Sequence, residues 1–121
     1  MTQTLPKRER LSGRTAISTL MKKGRWGTSG CLKYCVLSPG GDDVTRIMVS
    51  VSKRNFKRAV KRNLLKRRLR ESYRTQKDLL ETAAPMDLMF VYNSKEILDY
   101  EVIRESVADI LRNLGARSQA L

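Results

Sequence analysis

Between Lys53 and Lys77 the chain places twelve Lys or Arg residues against one acid, Glu71. Any fold built on this sequence must pin that self-repelling segment and turn its charge outward. The segment is no featureless basic tail: Leu65, Leu69 and Tyr73 recur every four residues and define a narrow apolar stripe on a helix from about Lys57 to Thr75. At about 100° per residue, Asn63, Lys66, Arg67, Arg70 and Arg74 fall within an arc of about 100°, Lys61 and Arg68 lie beyond the stripe, and Arg62 borders it. A solvated surface helix normally mixes signs through Glu–Lys pairs four residues apart, and such pairs are nearly absent here. The helix therefore presents a cationic face suited to a polyanion. A nucleic acid neutralises it with a gain in counterion entropy.

The remaining composition bounds the rest. Of the thirteen net positive charges, eleven lie in that one segment. A chain of 121 residues fits a single domain, 1–121, that buries roughly two thirds of its unfolded surface. Apolar residues make up 40% but aromatics only 6%, so the core is expected to be aliphatic. Any of Trp26, Tyr34, Phe56, Tyr73, Phe90, Tyr92 and Tyr100 that faces solvent is a suspect for function. No apolar run approaches the ~20 residues that span a bilayer, and the N-terminus lacks an apolar stretch of signal-peptide length. A soluble, cytoplasmic protein with no membrane partner is expected. Cys31 and Cys35, four apart on an extended strand, are read as sharing one face, small and buried, without a disulfide. With no histidine in the chain, a zinc site lacks ligands.

Along the chain, Ser12 reads as the N-cap of a helix over about 13–23, with Ala16, Ile17, Leu20 and Met21 on one side and Gly24 as its stop. A Gly-rich link holding Arg25 and Trp26 leads to a strand over Cys31–Leu37. The turn Ser38-Pro39-Gly40-Gly41-Asp42-Asp43 reads as a hairpin loop before a second strand, Val44–Ser52. There Ile47, Val49 and Val51 alternate with Met48, Ser50 and Ser52, giving one apolar and one small, polar face. After the basic helix, Pro85 precedes a buried strand, Met86–Tyr92. Asp99 is placed to cap a last helix carrying Ile103, Val107, Ile110, Leu111 and Leu114, with Gly115 as its stop and 116–121 as a frayed tail. The order α-β-β-α-β-α gives an α+β sandwich of a small sheet and packed helices, in which the strand-helix-strand unit over 44–92 can pair its strands in parallel.

Imidazole catalysis is excluded, and no Gly-rich phosphate loop, nucleophile elbow or metal cluster is present. Asp42 with Asp43, and Asp78 with Glu81, read as solvated turn carboxylates. RNA is favoured over DNA, since neither helix-turn-helix spacing nor a zinc finger is visible.

The segment and its surroundings resemble the bacterial ribonuclease P protein subunit, whose hallmark is an Arg-Asn-Arg helix preceded by a strand. Val49-Ser50-Val51-Ser52-Lys53-Arg54 is similar to the family's strand ending in two basic residues, Arg58-Ala59 to its helix start, and Arg62-Asn63, Lys66-Arg67 and Arg70-Glu71 to the signature itself. Lys7-Arg8-Glu9-Arg10-Leu11 resembles the family's basic N-terminal arm, placed here over 1–11, and Lys22-Lys23-Gly24 the end of its first helix. The resemblance implies a small basic partner of a catalytic RNA that removes the 5′ leader from precursor tRNA. The resemblance implies that this RNA carries out the chemistry and mainly holds the Mg2+ ions. It also implies a left-handed βαβ crossover, against the usual right-handed rule, in a fold like the second domain of a small-subunit ribosomal protein.

Carried over residue by residue, the ribozyme surface comprises Arg58, Lys61, Arg62, Asn63, Lys66, Arg67 and Arg70. The leader cleft, made by the first helix and the sheet, comprises Ile17, Met21, Tyr34, Ser50, Ser52, Lys53 and Lys57. The protein itself supplies no catalytic group and no metal ligand. Asn63 would add directional hydrogen bonds within a field of charge. The chain departs from the pattern at Leu64, where the signature's second Arg is expected, and at Ile17 and Met21, positions that are often aromatic in the family. Those two side chains fit core filling as well as leader contact, and either Tyr34 or Cys35 can face the cleft. A ribosomal-type structural RNA-binding protein shares the charge and size without a processing role. For any RNA reading, log affinity is expected to fall with log salt by about 0.7–0.9 per phosphate neutralised. Filter binding from low to moderate salt checks this, and a flat response contradicts the electrostatic argument.

Overall fold

The computed structural model describes residues 5–80 and 83–119. Expectations for residues 1–4, for Glu81 and for 120–121 fall outside them. The elements are α1 (Arg14–Lys23), β1 (Arg25–Ser29), β2 (Leu32–Leu37), β3 (Arg46–Ser50), α2 (Ala59–Arg74), β4 (Asp87–Tyr92) and α3 (Tyr100–Gln119), with short 3-10 turns at Lys7–Glu9 and Lys77–Leu80. The sheet runs β1-β2-β4-β3. β1/β2 and β2/β4 are antiparallel, and β3/β4 is parallel with α2 as the crossover between them. The fold is α+β, as expected. No helix among the described residues is long and apolar enough to cross a membrane.

Strand alternation divides the packing into two. Leu32, Val36, Ile47, Val49, Leu88, Phe90 and Tyr92 point to one side, where they meet Leu65, Leu69 and Tyr73 of α2 and Ile103, Val107 and Ile110 of α3. On the other side Cys35 and Met89 pack against Leu20 of α1 and Leu11, flanked by Ile17, Leu37, Met48 and Val91. The aromatics contribute specific contacts, Tyr73 with Phe90 at 6.4 Å and Phe56 with Tyr92 at 5.8 Å between ring centroids. The two cysteines are free and do not share a face. Cys35 is buried under α1, whereas Cys31, at the β1–β2 turn, packs against the larger core beside Ser106, to whose Oγ its N–H donates at 3.2 Å. Alternation held within the strand and broke at the turn.

Several boundaries differ from the sequence reading. The Gly-rich link is strand β1, so the order is α-β-β-β-α-β-α. Gly27 marks close cross-strand packing: a Cβ there would lie 2.6 Å from Cζ of Tyr34. The Pro-Gly-Gly-Asp-Asp turn is not a hairpin, because β4 lies between β2 and β3. It spans the end of β4, with Gly40 N–H donating to Pro85 O at 3.1 Å and Gly41 N–H to Asp87 Oδ2 at 3.2 Å. Ser12 does not cap α1: Gly13 does, at φ 94°, with no side-chain capping bond. Asp99 precedes α3 and its backbone carbonyl accepts from Val102 and Ile103. Gly115 does not end α3, which continues to Gln119. It gives room for Leu79 O, which would lie 2.8 Å from a Cβ at that position.

The N-terminal arm is a strap rather than a loose basic tail. Leu5 is buried in the larger core and Leu11 in the smaller one. Arg10 bridges to Ile47, and Leu11 N–H donates to Ile47 O at 2.7 Å, so the strap covers the outer edge of β3. Arg8–Asp43 at 2.6 Å and Lys77–Glu9 at 3.0 Å hold it.

At the same end of β3, Arg46 clamps Asp87 with two bonds, Nε to Oδ1 at 3.0 Å and Nη2 to Oδ2 at 2.9 Å, across the parallel pair. Asp87 is buried, its side chain 5% exposed. Replacing Asp87 by Ala strands the Arg46 guanidinium and the Gly41 N–H. Urea unfolding is expected to show a loss of about 3–5 kcal/mol, against a far smaller change for breaking the exposed Arg8–Asp43 pair.

Candidate nucleic-acid interface

Of the twelve basic residues between Lys53 and Lys77, four are engaged within the fold. Arg62 donates through Nη1 to Phe56 O at 2.7 Å and Lys57 O at 2.9 Å, tying the incoming loop to the start of α2. Arg68 donates to Leu98 O at 2.6 Å and so holds the approach to α3. Arg74 grips Glu71 at 3.0 and 2.8 Å, which keeps the Glu71 carboxyl below its ordinary pKa. Lys77 pairs with Glu9. The other eight, Lys53, Arg54, Lys57, Arg58, Lys61, Lys66, Arg67 and Arg70, make no ion pair among the described residues.

Along the outer face of α2, Lys61, Asn63, Arg67 and Arg70 line a groove of about 570 Å3 with Arg10, Leu5, Val60 and Leu64. Its rim is cationic and its floor aliphatic. Leu64 stands half-buried beside Val60, which is 77% exposed. A second hollow, of about 200 Å3, runs from Leu11 and Ser12 over Ile47, Met48 and Val49, and shares Arg10 and Arg70 with the first. Those two arginines therefore stand between the α2 groove and the hollow against β3. Partial burial, and then the charge of Arg10, push the Arg70 guanidinium below its ordinary pKa. An arginine starts so high that it stays charged at neutral pH. Two like charges are thus held together, with no acid between them, where an anion would relieve both.

The seven residues assigned to this surface divide accordingly. Asn63, Lys61, Arg67 and Arg70 share the groove, and Lys66, half-buried, lies on the same helix. Arg58 is the helix N-cap, exposed, and faces a separate hollow with Lys57, Lys61 and Lys95. Arg62 is turned partly inward by its two carbonyl bonds, so its first job is to position the loop. Sequence reasoning missed Arg10 as a member of the site. Nothing in its local pattern shows that the strap would bring it beside Arg70.

The leader-side residues separate more sharply. On the α1 side of the sheet the register aligns Trp26, Cys35, Met89 and Met48 in one row, and Thr28, Lys33, Val91 and Ser50 in the next. Helix α1 covers the first row at Cys35 and Met89. Ile17 is half-buried against that small core, and Met21 is 49% exposed. Ser50 is half-buried, Ser52 and Lys53 are exposed, and Ser52 Oγ accepts the Arg54 N–H at 3.0 Å. Tyr34 does not belong to this cleft. It lies on the even-numbered face of β2 with Leu32 and Val36, packed against the larger core, and it is Cys35 that faces α1. Lys57 is grouped with Arg58 and Lys61, away from Ser50. Among the described residues no three His, Cys, Asp or Glu side chains are grouped to hold a metal ion.

The chain is similar to known proteins over most of its length. The family model described as Ribonuclease P matches residues 5–115. The ribonuclease P protein component of Porphyromonas gingivalis is 34% identical over 110 residues, covering 85% of this chain and 80% of that protein. That of Petrotoga mobilis is 34% identical over 122 residues, covering 94% and 98%. The solved RNase P protein of Staphylococcus aureus superposes with a TM-score of 0.75 at 22% identity over 91% of this chain and 96% of that one. The RNase P protein of Thermotoga maritima gives 0.75 at 24% identity over 88% and 97%. These structural likenesses speak to the fold.

Replacing Arg70 by Ala is expected to weaken RNA binding about 10- to 100-fold, the worth of one charge-assisted contact, and to reduce the salt slope by about one phosphate. Removing it also relieves repulsion against Arg10, so thermal stability without RNA should hold or rise. Anisotropy titrations and melting curves on the same variant check both halves.

Proposed function

The chain belongs to the ribonuclease P protein family, and from that premise we propose that it is the RNA-binding component that assists a catalytic RNA in cutting the 5′ leader from precursor tRNA by hydrolysis of one phosphodiester bond. The observation that carries this reading is the set of eight cations without ion pairs on and just before α2, three of which, Lys61, Arg67 and Arg70, line the grooves that meet at Arg10 and Arg70. That surface matches a folded RNA, whose phosphates supply negative charge from several directions. On this reading Arg58, Lys61, Asn63, Lys66, Arg67 and Arg70 engage the catalytic RNA, with Arg10 joining them and Arg62 holding the loop beside them. The single-stranded leader lies along the α1 side of the sheet, past Ile17, Met21, Ser50, Ser52 and Lys53.

The protein contributes position and charge rather than a reacting group. Neutralising phosphates on both RNAs lowers the repulsion between ribozyme and precursor, and holding the leader fixes the scissile bond relative to the catalytic RNA. Magnesium ions would supply the activation of water and the stabilisation of charge on the phosphoryl oxygens. On the family resemblance they would be held mainly by the RNA. Leu64 leaves an aliphatic floor where the family signature carries an arginine, so the flanking Lys61, Arg67 and Arg70 supply the charge around it.

The test mixes the protein with a bacterial ribonuclease P RNA and a precursor tRNA at low magnesium. Cleavage is expected to rise several-fold on adding protein, and to fall back when Arg70 and Arg10 are both replaced by Ala. RNA binding without stimulation would instead identify a structural RNA-binding protein of ribosomal type.

A further inference from the structure

Trp26 is the one large aromatic among the described residues that stands open to solvent, 41% exposed. Phe56, Tyr73, Phe90 and Tyr92 are buried. It lies on β1 directly across from Cys35, on the α1 side of the sheet and at the end of the row that α1 covers. Lys33, in the neighbouring open row, holds its ammonium 4.9 Å from the Trp26 ring centroid. The indole N–H makes no hydrogen bond among the described residues, so neither a polar anchor nor core packing accounts for a tryptophan here. The surroundings are uniformly basic: residues 10–41 contain six Lys or Arg and no Asp or Glu.

An exposed aromatic plane beside cations, at the end of an open sheet row, has the composition of a single-strand stacking site. Such sites take any base on the ring and the adjoining phosphates on Lys or Arg. We propose that Trp26 is a stacking platform for one unpaired RNA nucleobase, with Lys33 taking the phosphate next to it. This site rests on the RNA-binding reading above and extends it to the β1 edge, on the side of the sheet away from α2. Cys35, under α1, is buried and offers no stacking surface, so the aromatic plane on this face comes from Trp26. In the free protein the Lys33 ammonium occupies the ring, and an incoming base displaces it toward the phosphate.

Trp26 is the only tryptophan in the chain, so its emission reports on this spot alone. The full-length protein is titrated with a short single-stranded oligoribonucleotide carrying a terminal dye, with dye anisotropy and tryptophan emission read in parallel. Saturable quenching that tracks the anisotropy is expected. Trp26→Ala should weaken binding about 5- to 140-fold, the 1–3 kcal/mol of one base stack converted at 1.4 kcal/mol per tenfold, while Trp26→Phe keeps most of it. Anisotropy that rises with unchanged emission, and a Trp26→Ala variant that binds as tightly as the parent, would overturn the stacking site while leaving the RNA reading intact. Absence of any anisotropy change would overturn both. Repeating the titration with precursor tRNA, mature tRNA and the catalytic RNA alone assigns the source. Quenching by precursor but not by mature tRNA points to the leader, and quenching by the catalytic RNA to the ribozyme.

Discussion

Helix α2 exists because three side chains outweigh the charge around them. Arg58, Arg62, Lys66, Arg70 and Arg74 stand four apart in an unbroken run, and each like-charged step destabilises a helix by about 0.2–0.5 kcal/mol. Leu65, Leu69 and Tyr73 are fully or almost fully buried, and each large apolar side chain contributes about 1.5–3 kcal/mol on burial. The anchors win, and the ends carry ties of their own. Arg62 fastens one end to the preceding loop and Arg68 the flank to Leu98, while Glu71 absorbs Arg74. The cations left over are the ones the fold does not use, and they form the surface proposed to meet RNA.

The helices and the buried strand were legible because period and burial coincide in them. The stripe of α2, the apolar run of β4 and the last helix all carry their packing in their own residues. What escaped was decided by distant residues. Strand β1 has little apolar character, and its Gly27 reads as a linker until Tyr34 is seen lying across it. Gly115 reads as a stop until Leu79 is found against it in mid-helix. The loop after β2 carries ordinary hairpin chemistry, yet it bridges strands that are not neighbours, and only the position of β4 reveals this.

The site was legible in the same proportion. The cationic arc of α2 follows from helical geometry, so Asn63, Arg67 and Arg70 fell together as expected. Arg10 did not, because a strap across β3 delivers it. Tyr34 looked like the aromatic of the sheet cleft, but alternation on β2 turned it to the opposite side. The exposed aromatic on that face was Trp26, hidden within the residues taken for a link. The suspicion attached to any solvent-facing aromatic falls on Trp26, a residue that could be named only from the register.

The position of β4 has a further consequence for how the chain is made. It lies between β2 and β3 although it follows both in sequence, so neither inner edge can be satisfied until residue 92 has been synthesised. Roughly three quarters of the chain, including all of α2, must wait without a closed sheet while the pairing partner is still to come, and non-local pairing of this kind slows folding. A nascent chain in that state carries most of its positive charge next to the RNA-rich surface of the ribosome that is making it. Helix α1, which packs on Met89 of β4 as well as on Cys35, gains its full footing only once that strand arrives.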